Sequence, residues 1–482
     1  MGFRASRRAL AGGAAACYKP AMTDEALIIR EIDWRAPLDA FAPLAGAPWA
    51  ALLHGGEGAR EAGWSILVAF PARRLEGRGG AAFLDGARID AAPLAALRAL
   101  SDARRIDAAP AGFADAPFAS GLVGFIGYEM GARLEPTASG PASPFALPDM
   151  AVGAYDAAAV FDRKARRCVV VGRNGPAVDR LAGALGRAPA PPPAPPAIRR
   201  LVSNFSAAAY ERAVADVIER IRDGALFQAN LARHIRAEAD GPIDAFAVFQ
   251  RLAQGDAPFA AILQHGEGTI VSNSPERFFS LRREGDGWRA RAEPIKGTRP
   301  RGRDPEEDAA LVRALLASAK DRAENVMIAD LTRNDLSRVC RDGSIREEAI
   351  CALASHENVH HLVSRVSGLL RAGLGAVDVI EALFPCGSIT GAPKVEAMKT
   401  IAAIEGVGRG PYCGAIGYID DRGGADFSVA IRTMIVEGGA ATFPVGGGVT
   451  LRSDPRAEYQ ETEAKARGLL AALGLDGRAR AA

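Results

Sequence analysis

The chain has 482 residues, 59 basic and 57 acidic side chains for a formal charge of +2, and 49% hydrophobic residues. That length admits one large compound unit or two to three domains. The balanced charge excludes a sequence-independent nucleic-acid binder, which needs a concentrated excess of cations, and no stretch approaches the ~20 apolar residues of a bilayer span. A globular protein with neither a nucleic-acid nor a membrane partner is expected.

The first residues, MGFRASRRALAGGAAAC, place Arg4, Arg7 and Arg8 before a short Ala/Gly run too weakly apolar for an export signal. Residues 1–21 therefore read as a disordered tail or an over-long start before Met22. The six cysteines (Cys17, Cys168, Cys340, Cys351, Cys386, Cys413) form no Cys-x-x-Cys pair and no zinc-like spacing, which suits reduced thiols in a cytoplasm. Residues 66–70 (ILVAF), 122–126 (LVGFI) and 168–171 (CVVV) are short β-prone runs, with a helical stretch at 93–100 between them. Residues 188–197, APAPPPAPPA, are extended polyproline-like chain and read as a semi-rigid linker. Composition alone divides the chain there into two domains.

Beyond the linker, Ser206 caps a helix whose Tyr210, Val214, Val217, Ile218 and Ile221 recur at helical spacing until Gly224. Asp304-Pro305 and Asp454-Pro455 each set a capping carboxylate before a proline at the first helical position. Strands are expected at 260–263, 269–272, 415–419 and 434–436. The run from Gly387 to Lys394 lacks the Gly-Lys-Ser/Thr ending of a phosphate loop, and Pro393 removes an N–H that a phosphate cradle would use. Gly446-Gly447-Gly448, taken alone, reads as a tight turn.

Glu458 and Glu461, three apart on one helix face, repel each other unless something positive lies between them. Glu461 with Lys465 also fits a solvated ion pair on a surface helix. A second acidic helix carries Asp321, Glu324 and Asp330 beside apolar Val326, Met327 and Ile328. Carboxylates converging from two helices without His or Cys describe a hard-cation site, for which Mg²⁺ is the natural occupant. Lys296, in EPIKGTRPR, is either an exposed cation, as most lysines are, or a nucleophile activated by desolvation or a nearby base.

SNSPERFF (272–279), PIKGTRPR (294–301), KDRAENVMIADLTRNDLSRV (320–339), HHLVS (360–364), GSITGAPKVEAMK (387–399), PYCGAIGY (411–418) and SDPRAEYQETEAKA (453–466) resemble, in this order, the signature blocks of the chorismate-utilising enzymes. PWAALLHGG (48–56) and GLVGFIGYEMG (121–131) resemble their more variable amino-terminal half. The match is nearest to the aminodeoxychorismate-forming branch, since anthranilate synthases generally carry Ala where Lys296 stands.

The resemblance implies an α/β (α+β) compound fold, two packed β-sheets with helices outside, with 22–187 as its amino-terminal part and 198–475 as its chorismate-binding catalytic part. It implies Mg²⁺ on Glu324, Glu458 and Glu461, with Asp321 as an outer candidate. Tyr412 and Arg432 are the expected grip on the enolpyruvyl carboxylate, and Gly387, Thr390, Gly446, Gly447 and Gly448 the expected pocket lining. Glu276 is the expected general acid, Lys296 the nucleophile and His361 the orienting histidine. The chain lacks a glutaminase nucleophile turn, so ammonia is expected from a separate glutamine amidotransferase subunit, for p-aminobenzoate and folate synthesis. Rival readings are anthranilate or isochorismate synthase chemistry, and a catalytically silent chorismate- or amino-acid-binding regulatory subunit.

Overall fold

The computed structural model describes residues 27–55, 63–106, 116–186, 194–255, 257–356 and 359–475. The tail 1–21 and most of the Pro-rich linker lie outside the described residues. The β-prone runs form two twelve-stranded antiparallel sheets. The first runs in the order Ile28–Ile32, Arg167–Gly172, Ala157–Asp162, Trp64–Val68, Ala51–His54, Phe259–His265, Gly268–Ser274, Thr433–Glu437, Ala440–Thr450, Gln228–Ala239 and Ile198–Ser203, with the short strand Gly391–Ala392 added to Gln228–Ala239. The second runs Ile295–Pro300, Val359–Leu369, Gly287–Ala292, Arg277–Glu284, Ala425–Val429, Ala415–Asp420, Gly121–Ile126, Met150–Tyr155, Arg73–Arg78, Ala81–Leu84 and Ala87–Ile89, with Arg346–Ser355 also on Val359–Leu369.

Composition divides the chain at the linker, but the strand order joins what lies on either side. In the first sheet Ala51–His54 pairs with Phe259–His265, and in the second Gly121–Ile126 pairs with Ala415–Asp420. Each sheet thus draws strands from both sides of the linker. Residues of the two sheets share one buried cluster, Ile66, Val68 and Val160 meeting Val123, Phe125 and Ile416. Each outer face is covered by helices: Gly175–Leu185, Ala245–Leu252 and Pro455–Ala472 on the first sheet, Pro93–Ala103, Ala319–Ser337 and Ala376–Leu383 on the second. The helix Ala207–Arg222 packs its Tyr210, Val214 and Val217 against Gln228–Ala239 and the helix Lys394–Glu405.

Local chemistry fixes the elements that carry the site. The Asp304 and Asp454 carboxylates each accept from an amide three residues on, Glu307 and Ala457, at 2.8 Å, and a proline follows at the first helical position. Ser206 and Ser318 cap Ala207–Arg222 and Ala319–Ser337 in the same way. The glycine triplet, read alone as a turn, instead lies within the strand Ala440–Thr450. Crowding explains its glycines: a Cβ on Gly446 would stand 2.3 Å from the Leu231 carbonyl oxygen, and one on Gly448 2.3 Å from Gln228 Nε2.

Candidate active site

A cavity of about 920 Å³ opens where strands of both sheets meet the helices Ala319–Ser337 and Pro455–Ala472. One wall is the pair Ile295–Pro300 and Val359–Leu369. Their register slips between Lys296, opposite Leu362, and Thr298, opposite His361. Gly297 sits in that irregularity at φ +81°, and a Cβ there would come within 2.9 Å of Asp321 Cβ, so only glycine gives both the turn and the clearance.

Lys296 and Glu276 both line this cavity. Lys296 Nζ donates to the Ser388 carbonyl at 2.5 Å. Glu276, 4% exposed, accepts from the Ile295 amide at 3.4 Å. Burial raises its carboxyl above the ordinary range despite the opposing pull of Lys296 and Ser388. An acid beside an amine is therefore built into the wall, with the acid biased toward its protonated form.

Glu324, Glu458 and Glu461 line the cavity with Asp321. Burial raises Glu324 and Glu458, and Glu458 is raised further by Glu461. Glu324 Oε1 is buried without a hydrogen-bond partner among the described residues. Glu458 accepts from Ser453 Oγ at 2.6 Å and lies 3.5 Å from Lys320. Asp321 pairs with Arg299 at 3.0 Å, the position of an outer residue. The Glu461–Lys465 pair exists at 2.6 Å, but both residues line the cavity, and Lys465 also donates to the Gly446 carbonyl at 2.7 Å. Burial on its own would raise Glu461; Lys465 outweighs it, and the carboxyl is lowered.

Among the described residues no group of three or more His, Cys, Asp or Glu side chains is drawn close enough to hold a metal ion. The carboxylates thus offer hard oxygen donors from two helices, one oxygen orphaned, without a closed cage. That arrangement suits a hard cation that keeps several of its waters, some of its contacts to Glu324, Glu458 and Glu461 running through them.

His361 is 8% exposed, its Nδ1 2.9 Å from Thr298 Oγ1. Burial, then His356, lowers it to about 4, so the imidazole is neutral at physiological pH. Tyr412 is 3% exposed, and burial raises its phenol well above the usual value, which keeps it a neutral donor. Arg432, at φ +52°, lines the cavity, and its guanidinium has no hydrogen-bond or ion-pair partner among the described residues. Burial lowers its pKa against the pull of Tyr412 and Glu461. An unpartnered guanidinium on a cavity wall is a place for an anion.

Of the expected lining glycines, Gly446 and Gly448 reach the cavity. Gly447 faces the acidic helix, where a Cβ would stand 3.2 Å from Glu458 Oε2 and 3.4 Å from Glu461 Oε1. From the turn near Gly387, the cavity receives Ser388 and Ile389, while Gly387 packs on Leu331 and Thr390 is fully buried behind them. Sequence reasoning did not single out Lys320, Thr298 or Ser388. Lys320 lies in the first turn of the acidic helix Ala319–Ser337, beside Asp321, and could have been found by its position; Ser388 contributes a main-chain carbonyl, which leaves no residue-type signal.

A model of the chorismate binding enzyme family matches residues 52–471. The chain belongs to the chorismate binding enzymes. Among chorismate binding enzymes, the aminodeoxychorismate synthase component 1 of Klebsiella aerogenes is 38% identical over 438 residues, spanning 89% of this chain and 95% of that protein. The anthranilate synthase component 1 of Streptomyces coelicolor is 37% identical over 382 residues, 74% and 73% of the two chains. The crystal structure of anthranilate synthase component I from Streptococcus pneumoniae superposes with a TM-score of 0.75 at 30% identity, covering 84% of this chain and 92% of that one. The menaquinone-specific isochorismate synthase MenF of Escherichia coli shares the fold, with a TM-score of 0.70 at 17% identity.

Proposed function

We propose that this chain converts chorismate and ammonia to 4-amino-4-deoxychorismate, as the component 1 of an aminodeoxychorismate synthase. The observation that carries this reading is the placement of Lys296 beside Glu276 in one cavity with the unpartnered Arg432. Similarity to aminodeoxychorismate synthase component 1 over 89% of the chain supports it.

Chorismate presents a ring carboxylate, an enolpyruvyl carboxylate and an allylic C4 hydroxyl. Arg432 and Tyr412 hold the enolpyruvyl carboxylate by charge and a neutral hydroxyl donor. Glu324, Glu458 and Glu461 would hold Mg²⁺, which when bound supplies Lewis-acid neutralisation of the ring carboxylate. Lys296 Nζ, fixed by the Ser388 carbonyl, adds through its lone pair at C2. Both conjugated ring double bonds shift along by one bond, the C4–O bond breaks, and Glu276 gives its proton to the departing oxygen, which leaves as water. Ammonia then adds at C4, both double bonds shift back, the C2–N bond to Lys296 breaks to return its amine, and the surplus proton of the new ammonium passes to the Glu276 carboxylate. The enolpyruvyl group is retained throughout. Neutral His361, anchored on Thr298, orients the ring without adding charge.

Ammonia comes from a separate glutamine amidotransferase that pairs with this chain as a heterodimer, in the supply of p-aminobenzoate for folate. The five cysteines of the described residues are all free thiols, and no helix among those residues is long and apolar enough to cross a membrane, which supports a cytoplasmic setting. The test is the product formed by the purified chain from chorismate, Mg²⁺ and ammonium at alkaline pH, read by mass. Aminodeoxychorismate supports the proposal. Anthranilate with pyruvate, or isochorismate, overturns it.

A further inference from the structure

Behind the cavity lies an ion pair that touches no solvent. Arg409 and Glu405, with side chains 1% and 0% exposed, meet through Nη2–Oε1 at 2.5 Å and Nε–Oε2 at 3.0 Å. A buried pair costs desolvation that its own attraction seldom repays, so its remaining hydrogen bonds show what it is kept for. Arg409 Nη2 donates to the Asn230 carbonyl at 2.5 Å and Nη1 to the Ile389 carbonyl at 3.3 Å. The guanidinium lies 5.8 Å from the Tyr412 ring centroid and 4.8 Å from that of Tyr128. Glu405 Oε1 also accepts from the Ala232 amide at 2.8 Å.

Asn230, Ile389 and Tyr412 all line the cavity, on three separate segments of chain. The Ile389 segment includes Ser388, whose carbonyl holds Lys296. One planar fork, set by Glu405, therefore bonds the residue next to Ser388 and the strand opposite Gly446 to Gly448 while lying against the ring of Tyr412, the phenol proposed to grip a carboxylate. We infer that Arg409, oriented by Glu405, is a positioning residue for the amination, registering the Ser388 turn against Tyr412 so that Lys296 and the substrate carboxylate keep one fixed separation. The inference rests on the proposed chorismate chemistry.

A lysine at 409 keeps the charge and one contact but loses the fork that reaches two carbonyls and the carboxylate together. The control is Arg104, equally buried at 1% exposure and bonded through Nε and Nη2 to Asp421 at 3.0 Å, but remote from the cavity lining. Arg409→Lys, Glu405→Gln and Arg104→Lys are compared with wild type for chorismate KM, ammonia-dependent kcat and urea midpoint. All three lower the midpoint. Arg409→Lys and Glu405→Gln are expected to raise chorismate KM and lower kcat, each by about tenfold, since displacements of an ångström at reacting groups cost up to 10²-fold, whereas Arg104→Lys leaves both constants of its folded fraction within about twofold. If Arg409→Lys does not fold, the isosteric Glu405→Gln, still an acceptor for Ala232, carries the same comparison. Kinetics that match those of Arg104→Lys in every folded variant overturn the inference. Absence of chorismate turnover by the wild type would instead overturn the proposed function.

Discussion

Lys296 Nζ donates to the carbonyl of Ser388, and that one hydrogen bond brings the strand Ile295–Pro300 against the turn that precedes Gly391. The amine is thereby fixed by a neutral acceptor, while the carboxyl of Glu276 is left for proton transfer.

The acidic wall gives a metal prediction. Glu458→Gln and Glu461→Gln should each raise the Mg²⁺ concentration for half-maximal activity by about tenfold or more. Glu458→Gln should leave the urea midpoint nearly unchanged, because it removes repulsion between like charges, whereas Glu461→Gln should lower it slightly, because it also gives up the Lys465 ion pair. Titrating activity with Mg²⁺ at fixed chorismate checks this. Full activity of both variants at wild-type Mg²⁺ would show that these carboxylates serve only Lys320 and Lys465.

Neighbouring glycines should differ sharply. Gly446→Ala drives a Cβ into the Leu231 carbonyl, backbone that cannot rotate away, and should cost about 1–3 kcal/mol of stability in urea unfolding. Gly447→Ala meets only the ends of Glu458 and Glu461 at 3.2 and 3.4 Å, which can swing aside. It should leave stability within about 0.5 kcal/mol while raising the Mg²⁺ concentration needed for half-maximal activity, as the glutamate variants do. Equal stability losses at the two positions would contradict this geometry.

Acid sensitivity follows from buried imidazoles. His54, His234 and His361 are each lowered to about 4, chiefly by burial and then by Arg163, Arg409 and His356 respectively. Between pH 6.5 and 4 the unfolded chain binds protons these sites refuse. Their contribution is intact above pH 6.5 and lost as pH falls to 4, by about 3 kcal/mol each. Glu129, raised to about 7 by burial, acts in the opposite sense, protonated in the fold before it is in the unfolded chain. Comparing His234→Gln with wild type cancels that opposing effect. The variant should cost less stability at pH 4.5 than at pH 7.5, by roughly 2 kcal/mol; an equal cost at both pH values would contradict a neutral buried His234.

The helix starts were legible because their signals are local: Asp304-Pro305 and Asp454-Pro455 need only their own next turn to act as caps. The strands at 121–126 and 415–420 were legible as runs, but their pairing across the linker was not, since composition carries no record of a partner some 300 residues away. For the same reason the glycine triplet looked like a turn: its need for space comes from Leu231 and Gln228 on another strand. Lys465 and Glu461 read as a surface pair because i,i+4 spacing is silent about what the helix faces. Arg409 escaped notice altogether, its partners being mostly main-chain carbonyls.

The most direct measurement is intact and peptide mass spectrometry of the chain trapped with chorismate and Mg²⁺ in the absence of ammonia. The account predicts a covalent adduct on the peptide containing Lys296, its loss in Lys296→Ala, and chorismate binding in that variant within a few-fold of wild type, since Arg432 and Tyr412 remain. No adduct under turnover-competent conditions, together with an unchanged amination rate in Lys296→Ala, would contradict it and leave Lys296 a mere cation on the cavity wall.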